Sequence, residues 1–281
     1  MADPPLFIGV VSHPHTRYMV NQGHMGLGAR LAEAIPGSIL QINTDNPLDE
    51  LDVSLTSKVV QQSLTAEARL EKAWARYLGT AHGVRWQVHY VLRRLRIAAR
   101  SVMRPSTTGI RRLLNIELSH LDLMRKGVSS GAPWVLILED DAGATDVRDL
   151  VSGLEGLMGD IESPGFVNLS RSFTPAELGL DSLLSDSGLP WQGSEARRVL
   201  ISDRPATNTV CAILYSREYL AELLRVWEAL PLLPVIPIDW KLNQVLMSQC
   251  SQRLALSPTS WFVEPAPIIQ MSMNPAGILT T

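Results

Sequence analysis

Short apolar runs and stretches of helical period alternate along the chain. Leu6 to Val11 is a continuous apolar run rich in strand formers, set between Pro4-Pro5 and Ser12-His13-Pro14-His15, and it reads as a buried strand. Met25, Leu27, Leu31 and Ile35 then fall near helical spacing, Pro36-Gly37 stops that helix, and Ser38 to Asn43 supplies a second strand. Strand, helix, strand is the opening of a Rossmann-like α/β fold with a central, mostly parallel sheet. In such sheets ligands gather at the carboxyl ends of the strands, which selects Ser12, His13, Asn43, Thr44 and Asp45.

Further along, Ile110 to Val128 predicts a long helix whose apolar positions Ile110, Leu113, Leu114, Leu118, Leu121, Met124 and Val128 follow the 3.6-residue period. At 100° per residue, Asn115, Ser119, Asp122 and Lys126 cluster on its polar side, with Glu117 and His120 at the border of the apolar stripe. A border histidine needs a partner, and a hydrogen bond from His120 to Glu117 would satisfy both.

The run Trp134 to Leu138 predicts another buried strand, and Glu139, Asp140 and Asp141 follow where it should surface. Unpaired buried carboxylates are strongly disfavoured, so a cation is expected beside them, and oxygen ligands on a tight turn suit Mg²⁺ or Mn²⁺. An acidic helix N-terminus would also account for the triplet.

Val147, Leu150, Leu154 and Leu157 predict the next helix, and Gly165 to Ser170 a strand. Thr174 to Ser194, rich in Ser, Gly, Leu and Pro, reads as a long surface excursion of the kind that serves as an active-site loop. Thr209 to Tyr215 is a further strand, and Arg217 to Leu230 a helix. A Pro-rich stretch then delivers Asp239 just ahead of a last helix, Leu242 to Cys250, and strand and proline signals alternate from Trp261 to Gln270.

Composition adds limits. The 281 residues are enough for one large domain, 1–281, in which 63–104 forms a helical basic insertion. Between residues 69 and 104, Arg69, Lys72, Arg76, Arg85, Arg93, Arg94, Arg96, Arg100 and Arg104 meet only Glu71, with Trp74, Tyr77, Trp86 and Tyr90 among them. That mixture suits peripheral contact with an anionic membrane at its cytoplasmic face; a solvated helical face with its aromatics turned inward fits equally well, and a nucleic-acid partner is not expected. Two cysteines, Cys211 and Cys250, make no disulfide framework and read as buried thiols. With no long apolar run and no leader-like start, a cytoplasmic protein is expected.

Asn115 to His120 on a helix, followed by Pro133 to Ala142 with its acidic strand end, resembles glycosyltransferase family 25, the lipopolysaccharide-type sugar transferases of cell-envelope glycan biosynthesis. Ala212 to Arg217 with its following helix, and Pro237-Ile238-Asp239 before the next, are similar to that family in order and spacing, so that the resemblance spans about Arg111 to Gln270. It implies a glycosyltransferase-A fold, a metal ion, a nucleotide-sugar donor of the UDP-linked type, a glycan or glycolipid acceptor and inversion at the anomeric carbon. Carried over, it places Glu139 and Asp141 at the metal and Asp239 as the catalytic base beside the acceptor. Ser12, His13, Thr44, Asp45, Asn115, Ser119, His120 and Asp140 form the donor side of that reading. No histidine follows His120, so other groups must complete the metal shell.

Asp239 also suits a plain N-cap of the helix that follows. Two other function classes use the same residues. A metal-dependent hydrolase would combine His13 and His15 with Glu139 to Asp141, although the C-terminal half offers none of the histidines such metals usually take. A non-catalytic nucleotide-sugar or membrane-surface binding protein would keep the fold without turnover.

Overall fold

In the computed structural model the three apolar runs Leu6–Val11 (β1), Ile39–Asn43 (β2) and Trp134–Glu139 (β3) lie side by side as parallel strands, with β1 in the middle. The structure describes residues 4–12, 26–44, 73, 77, 107–144, 146–161, 165–171, 180, 183–194, 196–202, 204, 206–207, 209–229, 237–252 and 259–271. The basic segment 69–104 therefore lies outside the described residues except for Ala73 and Tyr77, both helical.

Beyond β3 the sheet continues through Ala212–Ser216 (β9), Gly165–Asn168 (β5), Thr259–Glu264 (β10), Arg198–Ser202 (β8) and Leu184–Pro190 (β7), giving the order β2-β1-β3-β9-β5-β10-β8-β7. Only β9 and β8 run against the other strands. A second, small sheet joins Ala142–Ala144 (β4), Ile268–Gln270 (β11) and Ser170–Arg171 (β6).

Alternation along the central strands explains the layers. Leu6, Ile8 and Val10 of β1, with Trp134, Leu136 and Leu138 of β3, pack against Leu27–Ala34 (α1) and Val147–Asp160 (α3). Phe7, Val11, Val135 and Ile137 face Thr107–Ser129 (α2), Arg217–Glu228 (α4) and Ile238–Gln252 (α5). Both faces of β1 and β3 are thus covered, which is why these two runs are apolar throughout instead of alternating. On α2 a Cβ at Gly127 would meet Val135 at 2.5 Å, so glycine lets the helix lie directly on the sheet.

The outer end of the sheet departs from the expected surface excursion. β7 and β8 form an antiparallel pair, and the chain after β7 turns Trp191 inward onto α3. Trp191 Nε1 donates to Asp149 Oδ1 at 2.9 Å, and Arg197 Nε donates to Asp149 Oδ2 at 2.8 Å. A Cβ at Gly153 would fall 2.1 Å from the Trp191 ring, whereas at Gly159 it would meet nothing within 4 Å among the described residues. Gly153→Ala is accordingly expected to cost about 1–3 kcal/mol despite the better helix propensity of alanine. Gly159→Ala should instead stabilise by about 0.4–1 kcal/mol. Urea midpoints of the two variants check this, and a stabilised Gly153→Ala would rule out the Trp191 packing.

Two helix boundaries also differ from expectation. α5 starts at Ile238, so Asp239 sits inside its first turn and not ahead of it. α2 begins before Ile110, at Thr107.

Candidate functional site

From β1 the chain passes to β2 on one side and reaches β3 on the other, so the carboxyl ends of β1 and β3 flank a topological switch point, where open α/β sheets bind ligands. Val11 pairs with Glu139 in register, so Ser12 stands one step beyond the acidic strand end. The antiparallel β9 brings its start to the same edge, with Cys211 adjoining Glu139: Glu139 N donates to Cys211 O at 2.8 Å. The small sheet closes the other side, for Met271 N donates to Asp141 O at 2.8 Å and Gln270 Nε2 to Glu139 Oε2 at 3.3 Å. The acidic turn is therefore held by backbone on both flanks.

α2 delivers polar groups to this edge. It runs opposite to β1 and β3: Gly127 lies over Phe7 and Val135, Leu123 over Gly9, and the turn containing Ser119 and His120 comes last, towards the strand ends. Asn43 Nδ2 donates to Asp122 Oδ2 at 3.1 Å, fixing the helix to the end of β2. Asn115, Glu117, Ser119 and His120 are all buried, although the helical period sets most of them on or beside a polar face. His120 does not bond Glu117. Its Nδ1 lies 2.8 Å from Ile116 O, an acceptor, so Nδ1 carries the proton and Nε2 faces Glu139 Oε1 at 4.0 Å. Glu117 instead takes Lys241 Nζ on one carboxylate oxygen and Trp227 Nε1, at 3.3 Å, on the other.

The electrostatics of the site are dominated by carboxylates. Glu139, 19 % exposed, has its pKa raised from 4.5 to about 8, first by burial and then by Asp141, Asp140 and Asp239, with Arg112 opposing. Asp239 is also shifted upward by burial, against the hydrogen bond that its Oδ1 accepts from Trp240 N at 2.9 Å. That bond satisfies one of the helix's first amides, so the capping contribution expected of Asp239 exists, made from inside the first turn.

One oxygen of Glu139, one of Asp141 and the sulfur of Cys211 lie within 4.8 Å of one another. Cys211 Sγ donates to Asp141 Oδ1 at 3.8 Å, and burial with the neighbouring Glu139 and Asp141 charges pushes its thiol well up. A neutral thiol is a poor partner for a hard cation, so Glu139 and Asp141 are the groups that fit Mg²⁺ or Mn²⁺, ions that take one or two carboxylates and complete their shell with water and phosphate oxygens.

Of the residues selected from the sequence, Ser12, Asn115, Ser119, His120, Glu139, Asp140 and Asp141 gather around the ends of β1 and β3, and Asp239 is near enough to act on Glu139. Thr44 follows the end of β2 and is exposed. His13, His15 and Asp45 lie outside the described residues. Cys211, Gln270, Arg112 and Lys241 were not selected. No sequence signal marked Cys211 or Gln270, since their proximity depends on the direction of β9 and on the small sheet.

A comparison with models of protein families gives no match to this chain, and none of the curated proteins matches it. Among the described residues no helix is long and apolar enough to cross a membrane.

Proposed function

We propose that the protein is an inverting glycosyltransferase that moves a sugar from a nucleotide-sugar donor of the UDP-linked type to a hydroxyl of a glycan or glycolipid. In this reading the fold is a glycosyltransferase-A fold, and 69–104 brings a cytoplasmic enzyme to an anionic membrane or a lipid-linked acceptor. The observation that carries it is the convergence of a neighbouring acidic pair, Glu139 and Asp141, with a separately held carboxylate, Asp239, close enough to raise the Glu139 pKa. A pair for a cation and a third carboxylate for a proton supply charge neutralisation at the leaving diphosphate and a base for the attacking hydroxyl, the two tasks of transfer from such a donor.

Glu139 and Asp141 would hold Mn²⁺ or Mg²⁺, which when bound offsets the charge on the departing nucleotide diphosphate. Ser12 and Ser119 are fully buried, and their hydroxyls have no hydrogen-bond partner among the described residues, which suits them to polar atoms of the donor. Asn115, His120 and Asp140 add to that side, and Thr44 borders it. Asp239 serves as the base. The acceptor oxygen bonds to the anomeric carbon, the bond from that carbon to the diphosphate oxygen breaks with its electron pair leaving on the nucleotide, and the hydroxyl proton passes to Asp239. Partial desolvation makes the Asp239 carboxylate a stronger base than an exposed aspartate.

Purified protein incubated with Mn²⁺ and a panel of nucleotide sugars is expected to release nucleotide, with the rate rising when a suitable glycan is added. Asp141→Asn should weaken UDP binding chiefly in the presence of metal. Calorimetry showing the same UDP affinity for the unsubstituted protein with and without a chelator would be incompatible with a metal-bridged donor.

A further inference from the structure

We propose that Lys241, through its buried ion pair with Glu117, fixes the first turn of α5 against the acidic site and is a positioning residue for Asp239; the second half of this statement rests on the transfer reaction proposed above. Lys241 is 4 % exposed and Glu117 2 %, so neither charge is a surface group. Each Glu117 oxygen is engaged by a different helix, one by Lys241 of α5 and one by Trp227 of α4, while Glu117 itself belongs to α2. Three helices therefore meet at a single carboxylate. Lys241 stands two residues after Asp239, and its own N–H closes the first helical hydrogen bond, to Pro237 O at 3.1 Å. On the other partner, His120 follows Glu117 by three residues and turns Nε2 towards Glu139. The ion pair thus ties the turn carrying the proposed base to the turn of α2 that faces the acidic strand end.

A second tie lies just beyond it. Asn243 Oδ1 accepts Thr207 N at 3.0 Å, and Asn243 Nδ2 donates to Thr207 O at 2.8 Å. Thr207 Oγ1 bonds Thr209 O at 2.6 Å, and Thr209 Oγ1 accepts Cys211 N at 3.1 Å, leading to the sulfur beside Asp141. Lys241 and Asn243 thereby fasten the start of α5 to both walls of the site. Apolar packing alone would not do this. Leu242, Val245 and Leu246 bury α5 against the core, but such contacts are non-directional, whereas a buried pair desolvates two charges and returns a fixed geometry. Misplacing a reacting group by about 1 Å can cost roughly 10²-fold in rate, so a device of this kind matters most for a base.

Lys241→Met alone leaves a buried carboxylate uncompensated and is expected to unfold at lower temperature, whatever its role. The decisive variant is Glu117→Gln with Lys241→Met, which removes both charges at similar volume. In that double variant Tm and UDP affinity with Mn²⁺ should return close to those of the unsubstituted protein. Hydrogen exchange at the amides of residues 241–243 should remain at least about 10-fold faster, and kcat for nucleotide release at least about 10-fold lower with KM little changed. Unsubstituted exchange at those amides, together with full kcat, would overturn the proposal and leave a purely structural pair. If the unsubstituted protein turns over no nucleotide sugar, the proposed function fails by itself, and the exchange rates still decide whether the pair fixes the turn.

Discussion

Asp239→Asn is expected to lower acceptor-dependent turnover by about 10²-fold or more while leaving donor affinity nearly unchanged. Asparagine has the same shape and still offers an oxygen to Trp240 N, so the first turn of α5 should keep its hydrogen bond and the protein its stability. What the amide cannot do is accept a proton at neutral pH. The same carboxylate sets a pH signature: burial raises the Asp239 pKa, so the acid limb of kcat/KM should lie above the ordinary aspartate range and flatten in the variant. The measurement is turnover of folded Asp239→Asn beside its UDP affinity. Turnover at the level of the unsubstituted protein would exclude the base role, and Glu264, at the end of β10 on the same edge of the sheet, would be the next carboxylate to replace.

Periodicity in the sequence locates β1, α1, α2 and β3 because each buries a continuous or regularly spaced set of apolar residues, whereas β2 is found from its strand formers although Ile39 and Ile42 stay exposed at the sheet edge; the acidic turn is legible because three carboxylates cannot follow a buried strand without consequence. β7 escapes for the opposite reason. β7 is Leu-Ser-Asp-Ser-Gly-Leu-Pro, an edge strand with several exposed positions, and its pairing and the Trp191 clamp stabilise it where intrinsic propensity does not. The polar face of α2 is readable, its burial is not: Asn115 and Ser119 look like solvent-facing residues until the carboxyl ends of the strands are placed beneath them. Lys241 is hidden in the same way. A lysine near a helix start reads as surface charge, and only the contact between α2 and α5, more than a hundred residues apart in sequence, shows that Glu117 needs it.

Glu139 links stability, pH and metal in a way that tests the cation site without any substrate. In the unfolded chain its carboxyl titrates near the ordinary 4.5, and in the folded protein near 8, with burial the first cause and Asp141, Asp140 and Asp239 adding to it. Between those values the folded state holds a proton that the unfolded state has released. Stability from this group is therefore fully present below the unfolded pKa and is lost as pH rises towards about 8. With a chelator present, Tm is expected to fall from about pH 5 to about pH 8, and Glu139→Gln should flatten that slope. A divalent cation reverses the balance, since it favours the ionised carboxylates and must displace the proton to bind. Mn²⁺ at about 100 times its Kd should add about 2.7 kcal/mol, a rise of roughly 5 °C for a chain of this size. That rise should be larger near pH 8 than near pH 5 and should shrink in Asp141→Asn, because the cation then loses one of its two carboxylates. A Mn²⁺ effect independent of pH, or one that survives both substitutions, would place the cation elsewhere on the protein. In that case the raised Glu139 pKa would describe a proton-holding group, and Gln270 and His120 would be its working partners.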